Sequence, residues 1–320
     1  GLYKLEGPYC VLDDIEIPSD TFPELANQHG FYYTRNQQEF EAVMVYYHID
    51  LASRYIESLG YDESGLRTFR ADPHGLNGAD NSHYSPSGNY VSFGEGGVDD
   101  AEDADIIWHE YAHAIQNNLG AGNMSYSGES MSVQEGSSDY WAVSYKRSVS
   151  TYNWWLWGNW DGHNAFWDGR RADLDWAYPT DYESGHIGGQ IWSSALMGIW
   201  TDLGRDITDR LFLETHFLWG STPSMEDAAE AFIQADMQLY NGVHLCIIND
   251  HFKTHGLTDG EPSITVANRT ITSDETITGY NINIINTSIE NNSKLIIDAC
   301  NNVVIDGVFE IELGSELEIE

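Results

Sequence analysis

The sequence predicts an α+β protein of two lobes, a β-rich N-lobe over about 1–104 and a helical C-lobe over about 105–260, with an all-β stacked-strand segment, 261–320, appended. Three observations carry this expectation. At 320 residues the chain exceeds what one core usually organises. Short apolar runs set among Gly, Asn, Ser and Asp give way after Asp103 to helical periodicity. After about Gly260, Trp and His disappear, and Ile, Val and Leu alternate with Asn, Ser, Thr and Glu.

Taken in order, residues 1–36 read as loops and short strands. Over 37–59, Phe40, Val43, Met44, Tyr47, Leu51, Tyr55 and Leu59 recur at helical spacing and Gly60 closes the run, which predicts a long amphipathic helix. From 61 to 100, runs such as Tyr90-Val91-Ser92-Phe93 suit strands beside a functional surface. Helices are then expected over 105–119, 132–145 and 187–203, two of them ended by Gly120 and Gly204, and near 206–218, 225–240 and 244–254. The crowding of Trp154, Trp155, Trp157 and Trp160 reads as packing rather than as a carbohydrate platform. In the tail, Asn281-Ile282-Asn283-Ile284-Ile285, Lys294-Leu295-Ile296-Ile297 and Phe309-Glu310-Ile311-Glu312-Leu313 are period-two strands at nearly regular spacing, as stacked β rungs give.

With 51 acidic against 14 basic residues, the formal charge is −37, which repels phosphate backbones and anionic lipid and argues against nucleic acid and membrane surfaces as partners. No apolar stretch approaches the roughly 18 residues of a membrane span. The acids are spread along the chain, as a solvated surface requires. Two clusters, Asp99, Asp100, Glu102 and Asp103, and Asp168, Asp173 and Asp175, offer hard oxygen ligands to calcium without the spacing of a known calcium loop. The chain opens at Gly1 with neither a basic nor an apolar leader, which reads as a processed or trimmed product and fits export. Cys10, Cys246 and Cys300 form no framework, and a Cys10 to Cys246 disulfide is one pairing left open.

The chemistry is concentrated in His109-Glu110-Tyr111-Ala112-His113. Two histidines at i and i+4 share a helix face and can ligate one zinc ion, with Glu110 beside them as a base. A catalytic zinc needs a third protein ligand and an open position, and Glu135 follows in Gln134-Glu135-Gly136-Ser137-Ser138-Asp139. Asp139, one turn later, can accept the second ring N–H of a ligating histidine and fix its tautomer.

These two segments together resemble the glutamate-zinc peptidases of the thermolysin clan, and among them the fungalysin family, over roughly 30–255. The resemblance implies a two-lobed thermolysin-like endopeptidase with one catalytic zinc on His109, His113 and Glu135, acting on proteins or peptides. It implies Glu110 as general base, and Tyr126 and His186 as donors to the charge that develops on the substrate oxygen. Asp181 would hold the His186 ring. Asn81, ahead of an edge strand, and Arg171, or its neighbour Arg170 in its place, would bind the substrate backbone. It further implies a secreted monomer, made with a removable inhibitory prosegment and preferring a hydrophobic residue after the cleaved bond. Asp105 matches a calcium-binding carboxylate of thermolysin, yet Lys146 stands where its Glu partner belongs. The tail is similar to stacked-strand regions beside the sorting domains of secreted Bacteroidetes proteins, which would make it a spacer or surface-attachment element. Two other readings compete: an inactive adhesion module, against which every catalytic position is present, and a zinc aminopeptidase, whose upstream acidic motif is missing.

Overall fold

A computed structural model of the chain describes residues 1–61, 68–120, 124–160, 169–258 and 263–320. The expected boundary at Gly260, and Asp168 of the second acidic cluster, lie outside them. The chain is a mixture of helix and strand. Strand β1 (Cys10–Leu12), helix α1 (Glu39–Ser58) and strand β2 (Phe69–Asp72) form a parallel crossover. Strands β3 (Ser82–Ser85) and β4 (Tyr90–Phe93) complete a sheet of order β1-β2-β4-β3, in which β3 is antiparallel to β4 and forms an edge. Turn-forming residues cut these strands to three or four residues each, so the 20-residue α1 outweighs them and this part is less β-rich than expected.

The face α1 buries is Ala42, Val45, Ile49, Ala52 and Ile56, one step round the helix from the expected row; Tyr47, of that row, is 53% exposed. Both rows are apolar. The small and β-branched one takes the close contact with the sheet and with α2 (Ala104–Leu119), and larger side chains such as Met44, Leu51 and Tyr55 pack at its margins.

The remaining helices follow the sequence pattern: α3 (Gly128–Val149), α4 (His186–Leu203), α5 (Arg205–Leu218), α6 (Met225–Tyr240) and α7 (Leu245–Thr254). Asp103 caps α2 by accepting from the Asp105 N–H at 2.9 Å, and Ser224 with Asp227 forms a capping box on α6. A short hairpin of β5 (Leu156–Trp157) and β6 (Arg170–Arg171) lies between α3 and α4. One hydrophobic core runs from Leu5 to Leu257, and Trp108, Trp141, Trp157, Trp192 and Trp219 are buried in it: Trp108 stacks on Tyr145 at 4.1 Å and Trp192 on Phe252 at 5.5 Å. No described helix is long and apolar enough to cross a membrane.

Beyond it lie β7 (Ser263–Ala267), β8 (Thr270–Ile271), β9 (Glu275–Ile289), β10 (Lys294–Ile311) and β11 (Glu316–Ile319), paired in parallel throughout. Like residues stack in register, Ile277 beside Ile297 and Leu295 beside Leu317, and build a second, separate core. Register shifts at Ala299/Asn302 and Asp306/Phe309 let β10 run through positions where the sequence pattern suggests breaks.

The disulfide is Cys246–Cys300, with Cα atoms 5.3 Å apart, and Cys10 is free and buried. A Cys10 to Cys246 link is therefore excluded: Cys10 sits inside β1 against the first core, whereas Cys246, on α7, meets β10. The bond ties the parallel sheet to the helices across a sequence separation of 54. The double Cys246→Ser/Cys300→Ser chain is expected to be less stable by about 3 kcal/mol, read as a lower urea midpoint. Equal midpoints would show that the sheet holds without the link.

Candidate metal centre

His109 and His113 stand one turn apart on α2, with ring centroids 4.9 Å apart, and Glu135 faces them from α3. Glu135 Oε2 lies 3.3 Å from His109 Nε2, and Glu135 Oε1 lies 3.4 Å from His113 Nε2. Ligands at about 2.0–2.1 Å from a tetrahedral ion stand about 3.3–3.4 Å apart, so these separations suit zinc. One donor atom from each of the three residues falls within 4.8 Å of the others, and Glu135 is 1% exposed. The electrostatics agree. Burial alone would lower the His109 imidazole, but hydrogen bonding to Asp139 and Glu135 pushes it up to about 9. Burial would raise Glu135, but His113 and His109 hold it well below the usual carboxylate range. The pocket draws positive charge, which a dication supplies in place of protons.

Around this cluster, Asp139 Oδ1 lies 2.9 Å from His109 Nδ1, as its spacing in the sequence implied. Tyr126 Oη donates to Glu135 Oε1, and His186 Nε2 lies 3.2 Å from Glu135 Oε2. Burial beside Glu135 raises the Tyr126 phenol above its ordinary range, and burial lowers His186 despite Glu135. Glu110, 8% exposed, lines the same cleft, of about 1040 Å³, as do Asn81, Tyr126 and His186. Asn81 is exposed at the head of β3, and its carbonyl accepts from the Gly94 N–H at 3.1 Å.

Helix contacts set these positions. Gly136 on α3 and Gly189 on α4 meet backbone to backbone: a Cβ on Gly136 would fall 2.2 Å from the Gly189 carbonyl oxygen. The Gly185 N–H donates to Ser132 Oγ at 2.8 Å, and Gly185, at φ +81°, starts α4 with His186 as its first residue. Trp192 Nε1 donates to Ser137 Oγ at 2.9 Å, and Gln116 Nε2 to Ser138 Oγ at 2.9 Å, so Ser137 and Ser138 bind α4 and α2 to α3. Gly136→Ala is expected to cost about 2 kcal/mol by overpacking, although alanine is the better helix former. A melting temperature equal to that of the native chain would refute the close contact.

Two sequence expectations need correction. Arg171 does not enter the cleft: it is exposed and pairs with Asp173 at 2.8 Å. Arg170 lines the cleft instead, donating to both Asp139 oxygens at 2.7 Å, with Nη2 3.8 Å from Glu135 Oε2 and its guanidinium 3.8 Å above Trp157. On a two-residue strand neighbouring side chains take opposite faces, and the Arg171 N–H bond to Gln190 Oε1 fixes which faces inward. Asp181 does not hold His186. Its carboxylate accepts from the Ala177 N–H at 2.9 Å, while its own N–H donates to the Ala177 carbonyl at 2.8 Å, a closed local turn.

Trp157 was assigned to packing, and it also forms a cleft wall, its indole N–H on the Asp105 carbonyl at 3.2 Å. Lys146 Nζ lies 2.7 Å from Asp105 Oδ2, so an ammonium stands beside the carboxylate that calcium would need. Burial, with Asp103 nearby, raises Asp105 to about 7. Of the first acidic cluster, Asp99 and Glu102 approach Glu41 with oxygens within 4.8 Å, but Glu41 already meets His74 Nε2 at 2.6 Å and Glu102 pairs with Arg35.

No family model matches the chain, and no curated protein matches it. Among solved structures, the precursor of protealysin, a metalloproteinase from Serratia proteamaculans, aligns with a TM-score of 0.62 at 14% identity, covering 78% of this chain and 87% of that one. The likeness establishes a shared, thermolysin-like fold.

Proposed function

We propose that the chain is a secreted zinc metalloendopeptidase of the fungalysin kind, hydrolysing peptide bonds in proteins. The observation that carries this is one cleft in which His109, His113 and Glu135 converge while Glu110, Tyr126 and His186 line the same walls. The fold likeness to a metalloproteinase precursor supports it. A zinc ion held by the three ligands would lower the pKa of a bound water toward 7 and polarise a carbonyl. Glu110 takes the proton from water on its carboxylate and returns it to the departing amine. Tyr126 Oη and His186 Nε2 donate to the substrate oxygen as it gains charge. Asp139, clamped by Arg170, orients His109 through Nδ1. An extended substrate adds to the edge strand β3 beside Asn81.

In this reading 1–260 is the catalytic domain, its lobes about 1–104 and 105–260 flanking the cleft. Residues 261–320 are an appended stacked-strand domain acting as spacer or attachment element, for which the separate second core speaks. Export is supported by the disulfide, since such bonds persist in oxidising compartments. The test is casein hydrolysis with metal content read by mass spectrometry. One zinc per chain, cleavage, and inhibition by 1,10-phenanthroline that zinc reverses are expected. A chain that binds zinc and cleaves neither casein nor a peptide library would belong to the adhesion class instead.

A further inference from the structure

Lys146, which the proposed reaction does not use, is tied more closely than an ion pair needs. Its ammonium has three N–H groups to give, and Nζ donates to three oxygens: Asp105 Oδ2 at 2.7 Å, the Leu156 carbonyl at 2.7 Å and Asn159 Oδ1 at 2.5 Å. Asp105 belongs to α2, Lys146 to α3 and Leu156 to β5, with Asn159 two residues beyond that strand. One ammonium therefore joins the helix of the two histidines, the helix of Glu135 and the segment that carries the Trp157 wall of the cleft.

Asp105 completes the tie from its own side. Its Oδ2 accepts from the Gly158 N–H at 3.1 Å, and its carbonyl accepts from Trp157 Nε1 at 3.2 Å. Trp157 is thus held through its chain neighbours by Lys146 and Asp105, and through its indole by α2. From that position its ring meets the His109 imidazole with centroids 4.6 Å apart, and the Arg170 guanidinium lies 3.8 Å over it. Arg170 faces Trp157 across the β5–β6 pair and clamps Asp139, which in turn meets His109 Nδ1. Lys146 itself is not among the described residues that line the cleft, so whatever it does for a substrate passes through Trp157.

We propose that Lys146 is a positioning residue for substrate binding: by holding the Leu156 carbonyl and Asn159 against Asp105, it fixes where the Trp157 wall stands in the cleft. The inference rests on the metallopeptidase reading. An ion pair kept for stability alone would need only Asp105, and two apolar side chains of similar volume could replace it. The two further bonds run to the wall segment, and an apolar pair could not supply them. Nor could an arginine, whose planar fork suits one carboxylate rather than three separate oxygens. A displacement of about 1 Å in a wall of this kind can cost about 10²-fold in rate.

The experiment compares zinc-loaded full chains on an internally quenched peptide copied from a casein bond that the native chain cleaves. Lys146→Met keeps the stem and removes the ammonium, which leaves Asp105 buried without its cation, so a lower melting temperature is expected. In Lys146→Met/Asp105→Asn no charge remains at the tie, and stability should return toward that of the native chain. KM should not return: it is expected about tenfold above native in both variants with kcat within about twofold, the pattern of binding lost equally from ground and transition states. Asn159→Ala leaves the Lys146–Asp105 pair in place and should raise KM about threefold at an unchanged melting temperature, which decides the matter if either Lys146 variant folds poorly. Native KM in the folded double variant, or in Asn159→Ala, would show that Lys146 serves stability alone and overturns the proposal, with the peptidase reading intact. A native chain that binds zinc and cleaves no casein bond overturns the peptidase reading itself.

Discussion

Glu110→Gln is expected to retain one zinc per chain and to lose casein hydrolysis by a factor of about 10²–10⁴. The amide matches the carboxylate in size, and Glu110 is not among the three donors that converge on the metal position, so the ligand set should be undisturbed. What disappears is the capacity to hold a proton. Glu110 lies between the two histidines in sequence and lines the cleft. Tyr126 and His186 remain to polarise the substrate oxygen, so residual cleavage above background should persist rather than vanish. Zinc stoichiometry and casein turnover measured on the same preparation decide the matter. A variant with full zinc and near-native turnover would remove Glu110 from the base role, and one that loses zinc would make it part of the binding site.

How much of this was legible in the sequence follows from the range of the interactions involved. The His109, His113 and Glu135 grouping was readable because the two histidines are set by helical spacing and the glutamate by a motif that places it on the next helix. The helices were readable for the same reason, since their periodicity and closing glycines are local. Choices decided by tertiary packing were not. Two apolar rows on α1 competed for burial, and proximity to the sheet chose the one with smaller side chains. Arg170 and Arg171 are identical in kind, and only the bond from the Arg171 backbone to Gln190 sets which one turns inward. Asp181 satisfied a local turn instead of reaching His186. The cysteine pairing depended on how the parallel sheet meets α7, a contact with no trace in the spacing of the three residues.

Arg170→Ala should cost about 3–5 kcal/mol of stability, whereas Arg171→Ala should stay within about 0.5 kcal/mol. The contrast arises from surroundings rather than residue type. The Arg170 side chain is 11% exposed and gives two hydrogen bonds to Asp139, itself buried and close to His109. Truncation strands that carboxylate away from water and opens the space beneath the guanidinium over Trp157. Arg171, 49% exposed on its side chain, loses only a solvent-screened pair with Asp173. Arg170→Lys should recover part of the loss, because an ammonium supplies the charge without the planar fork that grips both oxygens. Denaturation should be followed on metal-free and zinc-loaded chains. If Asp139 steadies His109 as a ligand, Arg170→Ala also lowers zinc affinity, and the gain in melting temperature on adding zinc shrinks relative to the native chain. Equal and small losses for the two arginine variants would mean that Asp139 finds its compensation elsewhere and that the clamp does not organise the metal centre.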